Sequence, residues 1–226
     1  MSQNKYYSEF AIKYREEIIN SADPSLWTTD LFRNGPISAR MKVRITTLKK
    51  IVNDHFSREY RIFDIGCGFG RQAFVLAREG FKITGTDTNQ DFISIACEIF
   101  RRYSLEGDFY CTKHGESLSV EKFKQVVLLE VLEHIKATRR KKFIKSTRAV
   151  CTPDSKIVIS IPRVKPGIKP QLLNFSKYFL SSFFKKDEHP YHIPGEKAIK
   201  RILGKNFVIL TSIVQNETVF YICKSL

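Results

Sequence analysis

Phe63-Asp64-Ile65-Gly66-Cys67-Gly68-Phe69-Gly70 is the stretch whose reading decides the fold. An apolar run from Tyr60 to Ile65 leads into three glycines at alternate positions, and a helix-like segment, Arg71 to Glu79, follows. Strand, tight turn and helix start are thereby specified in order. Glycine is required where the backbone takes positive φ or must approach a ligand closely. The amide groups that open the next helix then face that ligand. One strand further on, Phe81-Lys82-Ile83-Thr84-Gly85-Thr86 ends at Asp87, with Thr88 beside it. Nucleotide-binding α/β folds place an acid about 20 residues past the loop to hold ribose hydroxyls.

The glycine spacing resembles the D-x-G-x-G-x-G signature of class I S-adenosylmethionine-dependent methyltransferases. Thr84-Gly85-Thr86-Asp87 resembles their second-strand motif, and Val126-Val127-Leu128-Leu129-Glu130-Val131-Leu132-Glu133-His134 is similar to their fourth strand and the turn after it. The third glycine comes one residue earlier than in the dinucleotide fingerprint, which disfavours a nicotinamide enzyme. The resemblance implies an α/β fold: a doubly wound, seven-stranded, mostly parallel, Rossmann-like sheet with S-adenosylmethionine as cofactor. It further implies that Asp64, Gly66, Cys67, Gly68 and Gly70 surround the methionine portion and that Asp87 and Thr88 meet the ribose. His114 and Gly115 stand where the family often places an acid against adenine, and Glu130 borders the cofactor.

Alternation of strand and helix patterns supports the same architecture. Strands are expected near 60–65, 81–86, 108–112, 124–129 and 155–161, with helices near 70–79, 89–103 and 137–150. A helix at 195–203 and strands at 206–213 and 217–223 complete it, the last two resembling the family's terminal antiparallel hairpin. Residues 1–59 read as an N-terminal helical cap and 60–226 as the core. In the cap, Tyr6, Phe10, Ile12 and Tyr14 to Ile19 suggest a short helix, and Ile37 to Phe56 a second. Trp27, Phe32 and Arg44 are candidates to line a substrate cleft or, for the two aromatics, to serve as packing residues.

Residues 162–192 form an insertion after the fifth strand, longer than an ordinary loop. Within it, residues 171–186 place Leu172, Phe175, Phe179 and Phe183 on one helical face and Lys177 and Lys185 on the other. Two readings stand: a lid over the active site, or an interfacial helix that gives peripheral contact with an anionic membrane. Ubiquinone-biosynthesis O-methyltransferases, which the chain resembles in its Glu-x-x-Glu-His turn, carry a membrane-contacting insertion in the same place.

Glu130, Glu133 and His134 are the candidate catalytic residues. One reading makes His134 a general base on a substrate hydroxyl. Another holds a divalent metal, Mg or Zn, on Glu130, Glu133, His134, His189 and His192, as in the ubiquinone-pathway enzymes and small-RNA 2′-O-methyltransferases that share this motif. A third makes the turn structural. The acceptor implied is a hydroxyl on a small or lipid-linked molecule; RNA 2′-O-methylation and a non-catalytic cofactor-binding scaffold are the alternatives.

Composition sets the remaining bounds. The chain has 226 residues, 42% hydrophobic and 27% charged, as a globular protein does. Its net charge of +15 favours anionic partners, nucleic acid or acidic lipid. No apolar run reaches the ~18–20 residues that span a bilayer. With a polar start, Met1 to Lys5, the expected location is cytoplasmic. The five cysteines show no C-x-x-C spacing and are expected to be reduced and buried.

Overall fold

The computed structural model describes residues 3–26, 39–112, 121–163, 193–215 and 218–226. Its centre is a seven-stranded sheet in the order β3-β2-β1-β4-β5-β7-β6. The strands are β1 (Ile62–Ile65), β2 (Ile83–Asp87), β3 (Gly107–Cys111), β4 (Phe123–Leu129), β5 (Cys151–Pro162), β6 (Phe207–Gln215) and β7 (Thr218–Ser225). All pairs from β3 to β5 are parallel. β7 runs antiparallel to both neighbours, so that Thr218 pairs with Pro162 and Lys224 with Lys156.

A sheet covered on both faces needs strands that are apolar throughout. Accordingly β1 is buried at every position and β4 at all but Lys124. Alternate residues feed two cores. Ile62, Ile83, Val127 and Phe220 join the face covered by α1 (Gln3–Asn20), α2 (Ala39–His55), α3 (Arg71–Arg78) and α4 (Gln90–Arg102). Phe63, Val126, Ile159 and Tyr221 join the face of α5 (Ala137–Ala149) and α6 (Gly195–Leu203).

The N-terminal helix is longer than its sequence suggests. Its apolar positions are sparse, yet α1 runs 18 residues and is tied to α4 where Arg15 donates to Ser94 Oγ and Glu98 Oε2, both at 3.1 Å. Phe10 and Ile18 enter the core; Ile12, read as part of the helix's apolar pattern, faces water at 72% exposure. β5 begins four residues earlier than expected because Cys151 already pairs with Phe123.

The cysteines divide. Cys67, Cys151 and Cys223 are buried, whereas Cys97 on the outer side of α4 and Cys111 at the end of edge strand β3 are exposed. Burial of all five is therefore corrected by the position of two on outward-facing surfaces. The insertion at 162–192, read as lid or interfacial helix, falls outside the described residues beyond Arg163 and before Ile193, as do Trp27 and Phe32.

Candidate active site

The glycine turn sits at the carboxyl edge of β1, where open parallel sheets receive ligands. Its backbone is locked by Thr86, whose carbonyl accepts from the N–H groups of Gly66 at 2.7 Å and Cys67 at 3.0 Å. Gly66 has φ +78°, and a Cβ there would lie 2.5 Å from Val131 Cγ2. Gly68 has φ +55°, but a Cβ would meet nothing closer than 4.0 Å. The first glycine is thus demanded by packing. The second leaves open space for something to approach the backbone. Gly70, also at positive φ, opens α3.

Asp87 closes the turn from the neighbouring strand. Its Oδ2 accepts from the Gly68 N–H and its Oδ1 from the Asn89 N–H, both at 2.9 Å. Thr88 beside it is exposed. Asn89 then caps α4 by accepting from the Phe92 N–H at 3.0 Å. Asp64 lies beneath, 2% exposed, with Oδ2 lacking a hydrogen-bond partner among the described residues; buried Thr86 Oγ1 likewise lacks one. Burial, reinforced by the negative charge of Asp87, pushes the Asp64 carboxyl up to about 7. Burial also holds the Cys67 thiol well above its usual range, so its sulfur is inert and its backbone is what counts.

The α1 helix roofs this turn. Ser8 Oγ accepts from Asn89 Nδ2 at 3.1 Å, and Tyr7 and Phe10 meet the ring of Phe92. Tyr7 also meets the ring of His134 edge-on, with centroids 6.4 Å apart. One helix therefore spans from the second strand's loop to the fourth strand's turn.

At the end of β4 the three candidate catalytic residues have separate environments. Glu130 takes φ +58°, a left-handed conformation that costs a non-glycine residue of order 1–3 kcal/mol. Its Oε2 accepts from Arg44 Nη1 at 2.6 Å, and its buried Oε1 has no hydrogen-bond partner among the described residues. Glu133 is 1% exposed; burial, helped by the charge of Glu130, pushes it up to about 8, so it is protonated at neutral pH. His134 is half-buried in the 3-10 turn Leu132–His134. That turn is fastened by Arg140, which donates from Nε to the carbonyls of Leu132 and Ile135, both at 3.0 Å. Arg140 is itself 5% exposed, whereas its neighbours Arg139, Lys141 and Lys142 are exposed.

Arg71, the first residue of α3, completes the cluster. Burial lowers its guanidinium to about 10, opposed by the attraction of Glu130 and assisted by repulsion from Arg44. Sequence reasoning passed over Arg71 and read Arg140 only as one of four basic residues in a run, more a solvated face than an RNA site. For Arg140 a signal existed, since Arg140, Ile144 and Thr147 fall at i, i+4 and i+7 and all three are buried. Among the described residues no three His, Cys, Asp or Glu side chains converge as metal ligands. His189 and His192, the other candidate ligands, and His114 and Gly115 at the adenine position lie outside the described residues.

Residues 62–154 match the family profile described as a methyltransferase domain. The chain carries a methyltransferase domain of the S-adenosylmethionine-dependent kind. Over 160 residues it is 28% identical to a ubiquinone biosynthesis O-methyltransferase of Rickettsia conorii, covering 70% of this chain and 53% of that protein. The chain thus spans about half the length of that curated relative. The fold is shared with magnesium protoporphyrin IX methyltransferase of Synechocystis PCC 6803, solved with bound S-adenosylhomocysteine: TM-score 0.68, 15% identity, covering 99% of this chain and 98% of that one. It is shared equally with a [4+2]-cyclase, at TM-score 0.68 and 12% identity over 97% of this chain and 93% of that one. At such identities the likeness shows the methyltransferase architecture, and the reaction must be argued from the site.

The residues of the methyltransferase domain fit the cofactor. Asp87 puts a carboxylate at the turn, opposite in charge to the ammonium and sulfonium of S-adenosylmethionine, with the buried Asp64 carboxyl beneath it. Gly68 leaves the backbone open to it, and the orphan oxygens of Asp64 and Thr86 can accept hydrogen bonds there.

Proposed function

We propose that the chain methylates a hydroxyl on a small or lipid-linked molecule with S-adenosylmethionine as donor. The observation that carries this reading is the bond from the Gly68 N–H to Asp87 Oδ2, which joins the glycine turn and the acid into one preformed cradle beside Glu130 and His134. The cofactor supplies an electrophilic methyl group on a sulfonium sulfur. Asp87 and the turn fix its position, so that much of the barrier is met by orientation. Tyr7 and Phe10 of α1 cover the turn and exclude water. The acceptor's proton passes to the His134 ring. Glu133, already protonated near neutral pH, is not the acceptor of that proton. The relatives' O-methyltransferase names and the apolar, lysine-flanked pattern of residues 171–186 support a hydroxyl on a lipid-linked molecule.

Calorimetric titration with S-adenosylhomocysteine tests the cofactor assignment. Asp87→Ala and Gly68→Val should each weaken binding at least tenfold; wild-type affinity in both would overturn it. Methyl transfer to a catechol panel, with the product's methyl located by NMR, tests the acceptor. Methyl found only on nitrogen or carbon would remove the hydroxyl reading.

The metal reading adds no step. Glu130 Oε2 is held by Arg44, so one of the five proposed donors is already engaged. Turnover should therefore survive EDTA. Activity lost in EDTA and restored by Mg²⁺ or Zn²⁺ would bring the metal back.

RNA 2′-O-methylation is favoured by one observation: Lys136 at the N-cap and Arg139, Lys141, Lys142 and Lys145 along α5 are exposed, on a helix without an acidic residue. Label transfer to total RNA distinguishes it.

A further inference from the structure

The outer face of the α5–α6 layer carries cations that no acid among the described residues answers. On α5 the buried residues Arg140, Ile144 and Thr147 mark the inward side, and Arg139, Lys141, Lys142 and Lys145 are exposed around the rest. On α6, which packs over the same core, Ile199 and Leu203 are buried, and Lys197 and Arg201 are exposed. Among the described residues none of these six exposed side chains is in an ion pair, and the single acid of α6, Glu196, is taken by Lys200 at 2.6 Å. Lysines on other faces find acids: Lys50 meets Asp54, Lys82 meets Glu106 and Lys224 meets Asp154.

This arrangement works against the helices themselves. Arg139 and Lys142, Lys142 and Lys145, and Lys141 and Lys145 stand three or four residues apart, where like charges repel across a helix surface. Lys197 and Arg201 repeat that spacing on α6. Lys136 and Arg139 sit at the N-terminal end of α5, where the macrodipole disfavours cations, and the first turn has no acid. A row of negative charges alongside relieves every one of these penalties. From Arg139 to Lys145 the helix covers about 9 Å. A nucleic-acid duplex carries about one charge per 1.7 Å of its axis, so several phosphates fall within that length. The face also lacks what a membrane or a single strand needs. Large exposed apolar side chains among the described residues lie on other elements, and Phe143 packs against the core. Nothing on α5 or α6 is thus placed to enter lipid or to stack on bases.

We propose that the α5–α6 face docks double-helical nucleic acid by its phosphate backbone, without reading sequence. Lysines and arginines that meet phosphates gain affinity by releasing condensed counterions, whereas base readout needs side chains inside a groove. Since α5 follows the Leu132–His134 turn directly, a docked duplex runs past the active-site edge. The proposal goes beyond the methyltransferase reading, because the face holds the backbone whichever hydroxyl receives the methyl group.

Fluorescence anisotropy of the full chain with a short labelled RNA duplex, and with the same sequence as a DNA duplex, tests this over about 50–200 mM salt. Both should bind, a scrambled sequence should bind equally well, and log affinity should fall linearly with log salt. Lys141→Gln, Lys142→Gln and Lys145→Gln combined should weaken binding about tenfold or more and flatten the salt slope by roughly 2–3. Because repulsion is relieved, that variant should melt no lower than the wild type, which shows that it folds. Lys50→Gln, Lys82→Gln and Lys224→Gln combined remove the same charge from other faces and should leave affinity within about twofold. No binding by the wild type, or equal losses in the two variants, would overturn the proposal. So would an α5 variant that keeps duplex binding but no longer sediments with anionic vesicles, since the face would then serve lipid. Failure of the wild type to bind S-adenosylhomocysteine would instead sink the methyltransferase reading and leave the duplex result standing.

Discussion

Arg44 and Glu130 meet at 2.6 Å across 86 residues of sequence, joining the second helix to the end of the fourth strand. The same guanidinium reaches Thr218 at the start of the last strand, so three distant segments converge on one side chain. The pair is partly shielded from water, the setting in which a charge-assisted bond stabilises and a broken one leaves a stranded acid.

Arg44→Ala should therefore lower stability by about 1–3 kcal/mol. Thr218→Val, which removes only a neutral partner, should cost about 1 kcal/mol. Urea denaturation measures both. Coincident midpoints for wild type and Arg44→Ala would mean the bridge contributes nothing.

The glycines of the turn should separate folding from binding. Gly66→Ala adds a Cβ 2.5 Å from Val131 at φ +78° and should destabilise by ~2 kcal/mol or more. Gly68→Ala meets open space and carries only its φ penalty, about 1 kcal/mol, yet should weaken S-adenosylhomocysteine binding at least tenfold. Denaturation and titration on the same two variants read this out. Equal stabilities for the pair would contradict the packing role given to Gly66.

Asp64 should make the ligand-free protein less stable as pH rises. Its folded carboxyl titrates near 7, above the ordinary carboxylate range, so the folded chain keeps a proton that the unfolded chain releases. The contribution is fully favourable below about pH 4, declines as pH rises toward 7 and is flat above. Asp64→Asn removes this dependence. Melting temperatures of the two proteins should diverge between pH 4 and pH 7, the variant being the more stable at pH 8. Parallel curves would show that burial does not hold the proton.

Residues 171–186 supply a separate prediction about partners. Co-sedimentation with anionic vesicles at physiological salt should carry the protein down, and Phe179→Asp with Phe183→Asp should leave it in the supernatant. Wild-type protein that stays in solution would make the stretch a lid and direct the acceptor search to soluble anions.

Local chemistry made the fold legible. Glycines at 66, 68 and 70, with Asp87 one strand later, specify a turn and its neighbour within a span short enough to read along the chain. The terminal hairpin was readable for the same reason. What escaped was tertiary. Nothing near Arg44 announces that its partner lies 86 residues away, and nothing in Glu-x-x-Glu-His separates an acid held by arginine from one buried and protonated. Ile12 misled because a single apolar residue on a weakly patterned helix carries no information about which side meets the core. Cys97 and Cys111 misled because apolar neighbours in sequence are not neighbours across a helix or at a sheet edge.

The reversed direction of β7 has a practical side. Since Thr218 lies level with Pro162 at the ligand edge and Lys224 level with Lys156, Ser225 and exposed Leu226 emerge at the opposite pole of the sheet. A surface anchor, fluorophore or fused protein joined at Leu226 would hold the molecule at the pole of the sheet away from the glycine turn.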